Sequence, residues 1–300
     1  MATAEGKLRE LGETAVERVE RQEWLEPLAE RLQRAVIAAY EVGGERGRRI
    51  RDWLHGTWLG HPLHPVLTDV PLGAWTVTAV LDLFGNHRSS VRNRAADTAL
   101  GVGLAGAVGA AVTGLTDWQH TSDDDRRAGL VHGMLNGSAT LLYALSLAFR
   151  MHGDRRAGRA TAGVGFALVL GAAYLGGHLV YRRKLGVDRA PRVEWDDFMA
   201  VLPESELGES APRRVEARGV SIVLVKRRGT IRALAETCAH LGGPLSEGQV
   251  DDEGIRCPWH GSRFALEDGR LLEGSSTFAQ PCFETRVRNG RIEVRARARC

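Results

Sequence analysis

Four stretches of this 300-residue chain, about 67–84, 98–116, 130–149 and 161–181, are dominated by apolar, Gly and Ala residues. Each approaches the ~20 residues that a helix needs to cross the hydrocarbon of a bilayer. Backbone polar groups find no water there, so segments of this kind pack as helices bonded to themselves. The fourth stretch carries no charge before Arg182. The second places Gly101, Ala105, Gly109 and Thr113 at intervals of four, and the fourth repeats this with Gly163, Ala167 and Gly171. Such small-residue stripes let helices approach closely in lipid. Asp69, Pro71 and Asp82 interrupt the first stretch but lie near its ends. An all-α four-helix transmembrane bundle over 51–185 is the expected fold here, with a water-soluble Ala/Gly-rich bundle as the competing reading.

The flanks differ. Residues 1–50 form a charged helical region in which Leu11, Leu25, Leu28 and Leu32 recur at roughly helical spacing, as in an amphipathic helix that packs on another part of the chain. No short apolar core follows a basic start, so no signal peptide is expected. A formal charge of +3 gives no case for nucleic acid. From 193 to 300 the pattern changes to short strands, Val220–Val225, Thr230–Ala235, Thr285–Arg288 and Arg291–Arg295. Asn289-Gly290 between the last two is a hairpin signal. The whole is therefore a multidomain chain, a helical bundle followed by an all-β domain.

Within that β region stand Cys238-Ala-His240 and Cys257-Pro-Trp-His260. Two thiolates and two imidazoles suit an iron–sulfur centre in which one iron takes Cys and the other His. They also suit a tetrahedral zinc ion, although zinc fingers group Cys with Cys and His with His. Cys282 and Cys300 are expected to be plain thiols, since four Cys in this length do not make a disulfide framework.

The sequences Cys238-Ala-His-Leu-Gly-Gly243 and Cys257-Pro-Trp-His-Gly-Ser-Arg-Phe264 resemble the two cluster loops of Rieske [2Fe–2S] proteins. The resemblance spans about 193–298. It implies one [2Fe–2S] cluster, with Cys238 and Cys257 on one iron and His240 and His260 on the other. Respiratory members carry extra Cys in both loops, where this chain has Gly243 and Trp259. Ser262 matches a donor to a cluster sulfide, whereas Phe264 stands where a Tyr hydroxyl would donate. Fewer donors to sulfur imply a lower, ferredoxin-like potential.

Gly60-His61-Pro62-Leu63-His64-Pro65, followed by Asp69 and Pro71, resembles the His-Pro-Leu-His-Pro signature of a bacterial membrane-domain family, DUF2231. Counting crossings places His61, His64, His132 and His178 at one membrane interface. With Asp69 they form a candidate site for haem b or a quinone; helix capping and contact with lipid headgroups is the bland alternative.

The resemblances imply a membrane-anchored Rieske protein that carries single electrons between a cytoplasmic donor and a membrane acceptor, quinone or haem. Such a chain is an electron-transfer component rather than a self-contained oxygenase. A redox or iron–sulfur sensor, and a Rieske domain merely localised by its anchor, are the alternatives. Lys and Arg near the helix ends favour a multi-pass protein of the bacterial cell membrane with the Rieske domain in the cytoplasm. Membrane lipid and a redox partner are the expected partners, and the Gly stripes leave a homodimer open.

Overall fold

The computed structural model describes residues 4–84 and 89–296, so Cys300 lies outside the described residues. The chain divides into two compact units. The first comprises Met1–Gly47 and Leu63–Lys184, the second Arg48–Pro62 and Leu185–Cys300.

The first unit is helical. Helices α1 (Ala4–Glu20) and α2 (Glu26–Val42) precede α3 (Gly44–His55), whose second half belongs to the other unit. The bundle itself is α4 (Leu63–Phe84), α5 (Ser90–Trp118), α6 (Asp123–Met151) and α7 (Arg155–Tyr181). Helix α4 packs on α5 and α7, and α6 packs on α5 and α7, which closes a four-helix ring. Its outward face is apolar, with Val66, Val77, Leu83, Val108, Leu141 and Val164 all at least half exposed. Its interior holds Thr78, Thr113, Ser146 and Arg150. The interior also packs Trp75, Leu100, Tyr143 and Val169, so the bundle is apolar inside as well as out, a pattern suited to association with a membrane. Among the described residues α4, α5 and α7 are long and apolar enough to cross a membrane. Helix α6 covers the third apolar stretch but falls short of the others, because Asn136, Ser138, Thr140 and Ser146 dilute it.

The amphipathic N-terminal segment packs on this bundle. Leu25 and Ala29 are buried against Trp118 and Leu130, and Gln33 donates to the Trp118 carbonyl at 2.9 Å. Leu11 and Leu28 stay exposed.

The bundle is built twice. The spacing that separates His64 from His132 also separates Trp75 from Tyr143, Thr78 from Ser146 and Asp82 from Arg150. On the second helix of each hairpin, Ala96, Gly103, Ala110 and Gly114 match Gly158, Gly165, Ala172 and Gly176 in the same way. The matched residues do matched things. Thr78 Oγ1 donates to the Ala96 carbonyl at 3.4 Å and Ser146 Oγ to that of Gly158 at 2.6 Å. A Cβ on Gly103 would strike Trp75, and one on Gly165 would press on Tyr143. Hairpin α4–α5 and hairpin α6–α7 are two copies of one unit.

The second unit is antiparallel β. Its strands are β1 (Trp195–Pro203), β2 (Arg213–Ala217), β3 (Val220–Arg227), β4 (Thr230–Ala235), β5 (Gln249–Val250), β6 (Gly254–Arg256), β7 (Arg263–Ala265), β8 (Leu271–Glu273), β9 (Cys282–Arg288) and β10 (Arg291–Ala296). One sheet runs β1-β10-β9-β4-β3-β2 and a smaller one β5-β6-β7-β8. The β9–β10 hairpin turns at Asn289-Gly290, as the sequence predicts. Alternation on β3 and β4 puts Ile222, Leu224, Ala233 and Ala235 into one core with Phe283, Ile292 and Val294. Their neighbours Val223, Val225 and Leu234 face a second core that contains Cys238, Cys257 and Phe264. Residues 48–62 belong to this unit too. Asp52 accepts from the Gly274 N–H at 3.2 Å, Arg48 pairs with Glu273 at 3.6 Å, and His61 meets Phe278 edge-on at 6.1 Å.

Candidate iron–sulfur site

Two loops of the β unit fold alike. In the loop after β4, the Cys238 N–H bonds to the Gly243 carbonyl and the Gly242 N–H returns to the Cys238 carbonyl, both at 2.9 Å. In the loop after β6, the Cys257 N–H bonds to the Ser262 carbonyl at 2.8 Å and the Gly261 N–H to the Cys257 carbonyl at 3.2 Å. Gly242 and Gly261 take the equivalent position with φ of +84° and +74°, where a side chain is strained. This tight turn aims amides inward. The N–H groups of His240 and Leu241 point at the Cys238 sulfur, and those of Trp259 and His260 at the Cys257 sulfur.

The four donors fall into two pairs. Cys238 and Cys257 are buried and hydrogen-bonded to each other. The rings of His240 and His260 stand edge to face at 5.1 Å. Among the described residues no three His, Cys, Asp or Glu are grouped to hold one ion, so the arrangement fits two metals with two protein ligands each better than a single tetrahedral ion.

The electrostatics agree. The bond from Cys238 and the amides of Trp259 and His260 lower the Cys257 thiol to about 7, while sharing that bond and burial raise Cys238. Burial lowers both imidazoles, His240 further because His260, His55 and Arg189 lie near it. A pair poised to lose a proton and two neutral rings are what metal ligation requires.

The flanking residues support this geometry. A Cβ on Gly243 would lie 2.8 Å from the Cys257 sulfur and 3.0 Å from Trp259, so no larger residue fits where respiratory members carry Cys. Ser262 is fully buried, and its Oγ accepts from the Ser276 N–H at 3.0 Å. Phe264 is fully buried beside the thiols and brings no hydroxyl. Trp259 is 56% exposed and leans on His260 at 6.3 Å.

Sequence reasoning missed Gln280 and His55. Gln280 is buried and fastens the first loop, donating to the carbonyls of Ala235 and Thr237 at 2.7 Å and accepting from the Ala239 N–H at 2.9 Å. A lone Gln on a loop carries no sequence signal. Gln280→Leu strands three buried backbone groups, at about 1 kcal/mol or more each. A loss of about 3 kcal/mol is expected in chemical unfolding of the full chain. Cys282, expected as a plain thiol, is disulfide-bonded.

Asp251 closes the β5–β6 turn that leads into the second loop. Its Oδ1 accepts from Glu253 and Gly254 N–H groups, and Arg263 grips both oxygens at 2.7 Å. The Arg263 guanidinium holds this carboxyl well below its ordinary 3.8. A depressed carboxylate adds stability that is complete above its ordinary value and lost as pH falls below it. The group is half exposed, so Asp251→Asn costs about 1 kcal/mol or less. Melting curves should show that gap at neutral pH and see it close below about pH 3.

The histidines expected at one membrane interface have different described partners. His64 and His132 meet, with ring centres 6.3 Å apart. His61 instead sits against Phe278 in the β unit. His178 bonds to Glu20 at 3.1 Å, and Asp69 is exposed.

Paired Cys/His loops on a small antiparallel β unit define a Rieske-type iron–sulfur domain. Comparison with known proteins agrees. The Rieske [2Fe-2S] domain model matches residues 197–284, and the model of a predicted membrane protein (DUF2231) matches 60–189. Ferredoxin CarAc of Metapseudomonas resinovorans is 32% identical over 98 residues, 32% of this chain and 92% of that protein. Apoptosis-inducing factor 3 of Homo sapiens is 32% identical over 97 residues, 32% of this chain, so the chain spans only 16% of that relative. The ferredoxin of carbazole 1,9a-dioxygenase from Nocardioides aromaticivorans IC177 aligns over 34% of this chain and all 100% of its own, at 20% identity and a TM-score of 0.33. The chain belongs to the Rieske [2Fe–2S] family and carries a segment matching the DUF2231 predicted membrane protein ahead of the cluster domain.

Proposed function

We propose that this protein is a membrane-anchored one-electron carrier, passing electrons between a soluble donor and a quinone or haem in the membrane. The observation that supports it most is the pair of equivalent loops with two thiols and two neutral imidazoles. Cys238 and Cys257 would hold one iron and His240 and His260 the other. When bound, the cluster supplies a one-electron couple. The chain's own part is to seal the thiols from water, aim four amides at sulfur and keep both rings neutral. Exposed Trp259 beside His260 offers the edge at which a redox partner would dock. Ferredoxins among the relatives make the same role reasonable here.

Positive charge near the helix ends, Arg126, Arg127, Arg182, Arg183 and Lys184, supports a cytoplasmic β unit. The Cys282 disulfide weighs against it, since such bonds persist mainly in oxidising compartments. Labelling of a reporter at the C-terminus in intact cells against lysed cells decides between them. A Cβ at Gly163 or Gly171 meets nothing within 4 Å, so that small-residue face is open to lipid or to a second copy.

Redox titration of the full chain tests the carrier reading. With Phe264 offering no hydroxyl to a ligand sulfur, the midpoint should fall in the lower half of the family range of about −150 to +300 mV. Phe264→Tyr should raise it by about 60 mV, one good hydrogen bond for a one-electron couple. A wild-type midpoint above about +200 mV would refute the assignment.

A further inference from the structure

In the membrane unit three residues touch their own counterparts from the other repeat. Trp75 stacks on Tyr143 at 4.1 Å and 12°. Asp82 pairs with Arg150. His64 meets His132 at 6.3 Å and 86°. Residues that contact their own equivalents must lie along the pseudo-two-fold axis between the copies. Two of these pairs have diverged in chemistry, and the histidine pair has not.

Its supports match as well. His64 Nδ1 bonds to the Ala110 carbonyl at 2.8 Å, and His132 Nδ1 to the Ala172 carbonyl at 2.9 Å. A carbonyl only accepts, so both rings carry their proton on Nδ1 and keep the Nε2 lone pair. Imidazoles that ligate metals are oriented in this way. Beneath each ring lies a glycine on the facing helix, where a Cβ would sit 2.8 Å from His64 or 3.0 Å from His132.

We infer that His64 and His132 are the two axial ligands of a haem bound on this axis. A metal–imidazole bond of about 2.1 Å plus about 1.1 Å from nitrogen to ring centre separates two trans imidazoles by about 6.4 Å. The observed 6.3 Å between ring centres matches that span. Among the described residues no third His, Cys, Asp or Glu joins the pair. A bare ion would have two protein donors, whereas a porphyrin supplies the remaining four to iron. Asn136 Nδ2 lies 3.1 Å from His132 Nε2 and bonds the His132 carbonyl at 3.0 Å. It holds the ligand atom until haem displaces it. Thr68, its counterpart in the first repeat, bonds instead to the Pro65 carbonyl at 2.7 Å.

This inference rests on the reading that the membrane unit takes part in electron transfer, but it is tested apart from the cluster. Full-length protein in detergent is titrated with haemin, and bound haem is read by its absorption. The expected result is one haem per chain with a six-coordinate, low-spin spectrum. His64→Ala and His132→Ala should each weaken binding about 100-fold and lose the low-spin form, and free imidazole should restore it. Asn136→Ala should tighten binding several-fold, and His178→Gln should leave it unchanged. The proposal fails if haemin does not bind, if the spectrum survives both histidine substitutions, or if imidazole rescues neither. Haem binding in a chain whose β unit shows no cluster would refute the carrier function and leave this site standing.

Discussion

Cys257→Ser is expected to abolish the cluster, leaving at least about tenfold less iron and sulfide per chain and no reduced-state EPR signal. Cys257 is the thiol already lowered to about 7, because Cys238 and two loop amides favour its anion. A serine hydroxyl lacks that acidity and is a harder, poorer partner for iron. Among the described residues no third His, Cys, Asp or Glu is grouped with the pair to replace the thiol. His260→Cys tests the other half differently. If His240 and His260 share an iron, replacing one imidazole by thiolate should keep a cluster and lower its potential, since His ligation raises the potential above that of an all-Cys centre. Full iron content in Cys257→Ser, or an unshifted potential in His260→Cys, would overturn the ligand assignment.

The loops were legible because their chemistry is local. Each ligand pair sits within four residues, and the glycines that shape the turn follow at once, so spacing alone exposes them. What supports the loops was not legible. Gln280 reaches the first loop from across the unit, and residues 48–62 join the β unit through Asp52, Arg48 and His61, contacts with no local pattern. Membrane topology told which end of the bundle a histidine occupies but not which face of its helix. The partners of His61 and His178, Phe278 and Glu20, carry no such signal in the sequence. The repeat was half visible. Gly-x-Ala-x-x-x-Gly-Ala-Ala-x-x-Gly runs from Gly103 to Gly114 and again from Gly165 to Gly176, but on α4 and α6 only contact across the axis reveals the match.

Arg150 carries the largest expected loss of stability. Its side chain is 1% exposed. It donates to Asp82 at 3.1 Å, to Asp97 at 3.3 Å and from Nε to Ser146 at 3.1 Å. Arg150→Met should cost about 3–5 kcal/mol, because it leaves the Asp82 carboxylate in a low-dielectric interior without its cation. Asp97 is protected, since Arg155 still holds it at 2.9 Å. The asymmetry between the two carboxylates gives the test its second arm. Asp82→Asn with Arg150→Met should recover most of the loss, as an apolar or neutral replacement of a whole buried pair is often tolerated. Thermal unfolding in one detergent compares the single and double variants. A single variant within about 1 kcal/mol of wild type would mean that water or lipid headgroups already solvate Asp82. The polar end of the repeat axis would then be an outer surface of the bundle rather than its interior.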